Sequence, residues 1–220
     1  DEMDALEVDE ANEEIRILSE LSAFAAGAQD AIRVSRESME KVDYVFAAGA
    51  LASRMKCGAV SLSRGFELRL ENARHPLLGD GAVPLSLTLG GRTRGLVITG
   101  PNTGGKTVSI KTVGLICAMA LSGLQVPAER ASVPQLSGIY CDIGDGQSVS
   151  QNLSTFSAHM GRVVRILCLA GPRSLVLLDE VGSGTDPQEG MGLAVAVLTE
   201  LRALKCLAMA TSHYPELKRF

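Results

Sequence analysis

One stretch restricts the fold of this chain more than any other. The apolar run Leu96-Val97-Ile98-Thr99 breaks at Gly100-Pro101-Asn102-Thr103-Gly104-Gly105 and resumes as a helix-like segment at Lys106, Thr107 and Val108. It fits the pattern G-x-x-x-x-G-K-[ST], in which each residue type has a physical reason. Small residues let successive backbone N–H groups close around phosphate oxygens, and the helix start adds unpaired donors and the positive end of its dipole. Lys106 is long enough to reach the terminal phosphates, and the Thr107 hydroxyl suits Mg2+. A plain glycine turn between strand and helix is the competing explanation. The flanking strand and helix are both legible, which favours the phosphate loop.

Such a loop needs a sheet to hold it, and the composition allows one. The chain has 220 residues, 46% of them apolar, enough for one large domain with an appendage or two small domains. No apolar run approaches the length of a membrane span, and no secretory segment opens the chain. The first residue is Asp1 rather than Met, so a fragment or processed product is expected, truncated after Phe220. Five scattered cysteines without a C-x-x-C argue against a disulfide framework or zinc site and for a reducing compartment. Residues 1–14 hold eight acids and no Lys or Arg, so the net charge of -4 leaves +4 on the remainder. That is too weak for a nucleic-acid footprint, and the aromatic residues are not arranged as stacking platforms.

From about Leu6 to Met55 the pattern is helical: Ile15, Leu18, Leu21, Ala25, Ala28 and Ile32 recur at three- and four-residue steps, and Val42, Val45, Phe46 and Ala50 resume the stripe. Two helices are expected, broken near Arg36–Glu40, as structural arms that pack on a neighbour. Residues 58–65 read as a connector. Strands follow at 66–70, 85–89 and 96–99, then a buried helix over 105–122 stopped by Gly123. Residues 126–137 read as loop, 138–143 as a short strand, 144–152 as a polar loop and 154–170 as a helix. Ser174–Leu178 is a continuous apolar run suited to the interior of a parallel sheet. A helix over 188–204 and a strand over 206–211 complete the alternation. Strand and helix in turn predict an α/β sheet with its ligand at the carboxyl ends of the strands.

Asp179-Glu180 closes that apolar strand. The first acid there suits the Mg2+ hydration shell and the second faces a γ-phosphate as base or water-positioner. Acids after a strand are common, but with the phosphate loop this pair gains a role. His213, after the last strand, is either a structural hydrogen-bonder or a contact to the γ-phosphate. His159 is expected to face a neighbouring helix without chemical work.

Four segments together resemble the ATPase domain of the MutS family: Gly100 to Thr107, Leu153-Ser154-Thr155-Phe156-Ser157-Ala158-His159-Met160, Asp179 to Pro187, and Thr211-Ser212-His213-Tyr214. The wording of residues 142–148 and 185–190 is similar to the type-two branch rather than the mismatch-recognising one. The likeness is strong from Phe66 onward, and the preceding helices resemble the end of that family's core and lever region. It implies an α/β phosphate-loop fold of the ABC-ATPase-like class, with a mixed or parallel sheet flanked by helices and preceded by a helical arm. Residues 1–60 would be the core or lever remnant and 61–220 the ATPase domain.

The resemblance also implies ATP and Mg2+ as ligands, with Asn102, Lys106 and Thr107 on phosphates and metal and Asp179 and Glu180 serving metal and water. Gln147 falls where related ATPases sense Mg2+ or water. Ser154 and Thr155 would reach the other subunit's γ-phosphate across a homodimer, while Ser154 also suits a plain N-cap. Asp186 is either part of a loop communicating across the dimer or a turn residue before Pro187. His75, in Arg74-His75-Pro76, either touches adenine or braces its loop. The implied function is ATP hydrolysis coupled to branched or mismatched DNA, suppressing recombination, or to stalled ribosomes, through regions mostly outside these residues; any nuclease activity would also lie outside. No membrane partner is expected, and the location would be bacterial cytoplasm or an organelle such as the plastid. Two alternatives stand beside this. A transporter or chromosome-type ATPase would carry L-S-G-G-Q where Leu153-Ser154-Thr155-Phe156-Ser157 stands, and a nucleotide-gated interaction module would bind without hydrolysing.

Overall fold

The computed structural model describes residues 2–101, 104–144 and 152–219, the side chains of Glu2, Asp80, residues 152–155 and Arg219 excepted. The chain divides into two compact units, residues 1–50 and 51–220.

The first unit is helical: α1 (Glu2–Gly27) and most of α2 (Gln29–Arg54). The break falls at Ala28, after Gly27, and not near Arg36–Glu40. Glycine is the costlier residue inside a helix, whereas the polar stretch is compatible with one. Arg36 pairs with Glu40 at 3.4 Å, Arg33 reaches Asp30 and Glu37 at 3.1 and 3.4 Å, and Ser38 donates to the Val34 carbonyl at 2.8 Å. These are one-turn contacts that support a helix locally. The apolar stripe, including Ile15, Leu18, Leu21 and Ile32, is exposed in this chain.

The second unit holds two four-stranded sheets. β1 (Ala59–Ser63), β2 (Glu67–Ala73), β3 (Leu85–Gly90) and β5 (Arg130–Pro134) form one, in the order β1-β5-β2-β3, with β1 and β5 parallel and the remaining pairs antiparallel. β1 and β5 lie where the sequence reads as connector and loop. Each is five residues, rich in small or polar residues, and β5 ends on Pro134, whose missing N–H is tolerated at a strand end. Their pairing partners are about 70 positions apart, which local pattern cannot reveal.

β4 (Gly95–Thr99), β6 (Gly138–Asp142), β7 (Ser174–Leu178) and β8 (Leu207–Ser212) form the other sheet, all parallel, in the order β4-β8-β7-β6. β7 and β8 are central and buried throughout, so their apolar runs serve two faces. Leu175, Leu177, Leu207 and Met209 join the core beneath α3 (Lys106–Leu121), which also takes Leu68 and Leu70 from the first sheet. Val176, Leu178, Ala208 and Ala210 face the opposite way, onto Val163 and Ile166 of α4 (Asn152–Leu169) and Leu198 and Leu201 of α5 (Pro187–Ala203). Alternation along two strands thus sorts side chains between helical layers.

α3 is not buried all round: Val108, Leu115 and Leu121 are exposed, while Ile110, Val113, Ile116 and Cys117 are fully covered. It ends as expected at Gly123, where the Leu124 amide donates to the Met119 carbonyl at 3.0 Å and the Gly123 amide to Ala120 at 3.1 Å. Burial pushes the Cys117 thiol up to about 12. All five cysteines are free, and no helix among the described residues is long and apolar enough to cross a membrane.

Candidate active site

Parallel strands deliver their carboxyl ends to one edge of the sheet, and the neighbours β4, β8 and β7 all carry polar residues there. β4 runs into Gly100 and Pro101, and Gly105 precedes α3 in the left-handed region, φ 75°. A Cβ built on Gly100, Gly104 or Gly105 would meet nothing within 4 Å, so these three positions face open space. Lys106 is 3% exposed, and its ammonium donates to the Gly100 carbonyl and, at 3.4 Å, to the Ser212 carbonyl at the end of β8. A buried ammonium requires such partners. The Thr107 side chain is half-buried, one residue into the helix, and Val108 points outward.

Asp179 and Glu180 follow β7. Asp179 is 7% exposed, its Oδ1 accepts from the Thr211 hydroxyl, and its amide donates to the Asp142 carbonyl at 2.9 Å. Glu180 adopts a left-handed backbone, φ 52°, uncommon for a residue with a side chain. Its amide donates to Thr211 Oγ1 at 2.8 Å, and its carboxylate lies 3.1 Å from His213 Nε2. Side-chain exposures of 41% and 42% leave Glu180 and His213 open to solvent. The next residues are tied to β8 as well. The Val181 amide donates to the Thr211 carbonyl at 2.9 Å, Ser212 Oγ to the Val181 carbonyl at 3.3 Å, and the Tyr214 hydroxyl to the Gly182 carbonyl at 2.9 Å.

At the edge strand, Asp142 Oδ1 accepts from Arg162 Nε at 2.7 Å, and His159 Nδ1 lies 2.6 Å from Oδ2. Asp142 Oδ2 and His159 Nε2 are both buried without a hydrogen-bond partner among the described residues. His159 therefore faces the end of β6 rather than a neighbouring helix, because Asp142 draws α4 onto the strand end.

Asp186 caps α5, accepting the Gln188 amide at 2.9 Å with Pro187 at the first helical position. His75 Nδ1 accepts the Leu77 amide at 3.2 Å, the bracing arrangement. Its pKa is held below the ordinary histidine value by burial first and the nearby Lys111 charge second. Asn102, Thr103, Gln147 and the side chains of Ser154 and Thr155 lie outside the described residues; the backbone of 154 and 155 belongs to the first turn of α4.

Lys106, Asp179, Glu180 and His213 are thus brought together through three adjacent strands. Thr211 and Tyr214 join them; the sequence marks both within the segment Thr211-Ser212-His213-Tyr214 but gives neither a role. In sequence Thr211 reads as an ordinary strand residue, and only its place before Ser212-His213 hinted otherwise.

A glycine loop after a parallel strand, a buried lysine opening the next helix, and acids and a histidine ending the two strands alongside define an α/β domain of the phosphate-loop type. Residues 96–220 match the family model for MutS domain V, and an Endonuclease MutS2 from Pediococcus pentosaceus is 46% identical over 216 residues, 97% of this chain and 28% of that protein. The chain belongs to the MutS family, on its type-two branch. Two further relatives of the same description agree. That from Geobacillus thermodenitrificans is 46% identical over 207 residues, 93% of this chain and 26% of the relative. That from Caldanaerobacter subterraneus subsp. tengcongensis is 43% identical over 221 residues, 100% of this chain and 28% of the relative. The chain spans about a quarter of the length of the curated relatives it matches.

Proposed function

We propose that this chain is the nucleotide-hydrolysing part of a type-two MutS protein, using ATP and Mg2+ in a homodimer of the ABC-ATPase-like class. The observation that carries the proposal is the convergence of Lys106, Asp179, Glu180 and His213 on one sheet edge, with Glu180 3.1 Å from His213.

The donor set suits the ligands. Gly100, Asn102, Thr103, Gly104 and Gly105 would wrap the phosphates with backbone N–H groups, Pro101, which has none, shaping the turn between them, with Thr107 and Val108 in the helix turn that follows. Lys106 would exchange its bond to the Gly100 carbonyl for phosphate oxygens. The Thr107 hydroxyl and the Asp179 carboxylate are hard oxygen donors of the kind Mg2+ prefers. When bound, Mg2+ would neutralise charge developing on the phosphate oxygens. Glu180 would hold the attacking water and accept its proton as the water oxygen bonds the γ-phosphorus and the bond to the ADP oxygen breaks. His213 would orient the Glu180 carboxylate and contact the γ-phosphate from its other side.

The exposure of Glu180 and His213 supports completion by a second subunit, since charge stabilisation is strongest where water is excluded. Ser154 and Thr155 would supply that cover from the partner subunit, with Gln147 sensing Mg2+ or water and Asp186 relaying between sites. Residues 1–60 would be the lever remnant and 61–220 the ATPase domain. Coupling would be to branched or mismatched DNA or to ribosomes, through parts of the protein outside these residues, where any nuclease chemistry would also lie.

Steady-state ATP turnover measured against protein concentration tests this. Activity per chain that rises with concentration is the expected result. Turnover strictly proportional to concentration would remove the dimeric site, and absent turnover with retained ATP binding would leave a binding module.

A further inference from the structure

We infer that Thr211 is the positioning residue for both acids, the single hydroxyl that sets where Asp179 and Glu180 stand; this rests on the hydrolase reading above. Thr211 is fully buried in β8, beside the end of β7. A threonine hydroxyl has one proton to donate and lone pairs to accept with. The Glu180 amide can only donate, so the oxygen accepts there at 2.8 Å and its proton is committed to Asp179 Oδ1. The Thr211 carbonyl takes the Val181 amide at 2.9 Å, so consecutive residues 179, 180 and 181 are all referred to one residue of the next strand.

The backbone of Glu180 makes this consequential. A left-handed conformation is unfavourable for a residue with a Cβ and persists where surrounding contacts over-determine it. The bond from its amide to Thr211 is such a contact, and it aims the carboxylate at His213. Packing alone does not call for threonine here. Valine has the same shape and suits a buried strand, and a hydroxyl at full burial is costly unless hydrogen-bonded.

The test compares Thr211→Val, which deletes the hydroxyl and keeps the shape, with Thr211→Ser, which keeps the hydroxyl. Turnover at saturating ATP, the Mg2+ midpoint, ATP affinity without Mg2+, and hydrogen exchange at the Glu180 amide are measured for each. The expected result for Thr211→Val is a kcat about 10- to 100-fold lower, in line with loss of a hydrogen bond to a charged group. Its Mg2+ midpoint rises, its metal-free ATP affinity stays at the parent value, and its Glu180 amide exchanges faster. Thr211→Ser restores all of these. Should Thr211→Val not fold, Thr211→Ala is read in the same assays. Parent-like kcat and Mg2+ midpoint in Thr211→Val overturn this role alone, as does Thr211→Ser failing equally, which would assign the effect to shape. A parent chain that neither binds nor cleaves ATP overturns the hydrolase reading and this role with it.

Discussion

At the end of β4 the chain turns through glycines with open space around them, whereas past the ends of β7 and β8 the backbone is tied down residue by residue. On the phosphate side, an added Cβ at Gly100, Gly104 or Gly105 touches nothing within 4 Å, and Lys106 rests on a carbonyl of its own loop. On the acid side, a Cβ on Gly182 would lie 2.2 Å from the Gly190 carbonyl oxygen, and one on Gly190 2.2 Å from that of Gly182. The Tyr214 hydroxyl closes this crossing at 2.9 Å. The same residue type thus serves opposite ends. Glycine leaves room for an anion on one rim and brings two backbones into contact on the other. Room around a glycine loop suits a bulky anion, but a water molecule must be held in line by groups already in place.

The largest expected effect comes from the fixed rim. Glu180→Gln keeps size and hydrogen bonding but removes the proton acceptor, so kcat should fall about 10²- to 10⁴-fold while ATP is still bound. A single-turnover experiment with bound ATP measures it, and cleavage at the parent rate would show that Glu180 does not hold the water. Next comes a matched pair. Gly190 lies inside α5, where alanine ordinarily stabilises by about 1 kcal/mol. Here its Cβ meets backbone and the Tyr214 ring, so Gly190→Ala should destabilise by about 3 kcal/mol. Gly104→Ala should change stability by less than about 0.5 kcal/mol. Urea unfolding of both variants reads the contrast, and equal effects would erase the distinction between the rims.

Much of this site was legible before the fold. The phosphate loop combines a motif with a strand-to-helix change of period, and Ser174–Leu178 announces itself by continuous apolarity, so the placements of Lys106, Asp179 and Glu180 followed. What stayed hidden was non-local. β1 and β5 are short, and only their pairing with each other and with β2 makes them strands. The polar stretch at residues 36–40 reads as a helix break, but i,i+4 pairs carry the helix through it and Gly27 precedes the observed break. His159 carries no sequence sign of Asp142, which reaches it from β6. Thr211 looks like any strand threonine until β7 lies beside it.

The smallest effect asks whether the open rim has any fixed point. His75 braces the turn after β2, near Lys111 of α3, the helix that Lys106 opens. Its Nδ1 accepts a hydrogen bond from the Leu77 amide, an arrangement that requires that nitrogen unprotonated. Burial and the Lys111 charge lower its pKa from the ordinary value of 6.5, so the folded chain binds this proton less readily than the unfolded one. The sign follows from linkage. Above 6.5 the ring is neutral in both states and adds no pH dependence. As pH falls below that value the unfolded state protonates first and stability declines, levelling once the folded ring is protonated too. Unfolding midpoints of the parent and of His75→Gln between pH 8 and 5 should therefore differ by an amount that turns against the parent on acidification. A difference that turns in the parent's favour would mean that His75 is charged in the fold and does not brace the turn after β2 through an unprotonated Nδ1.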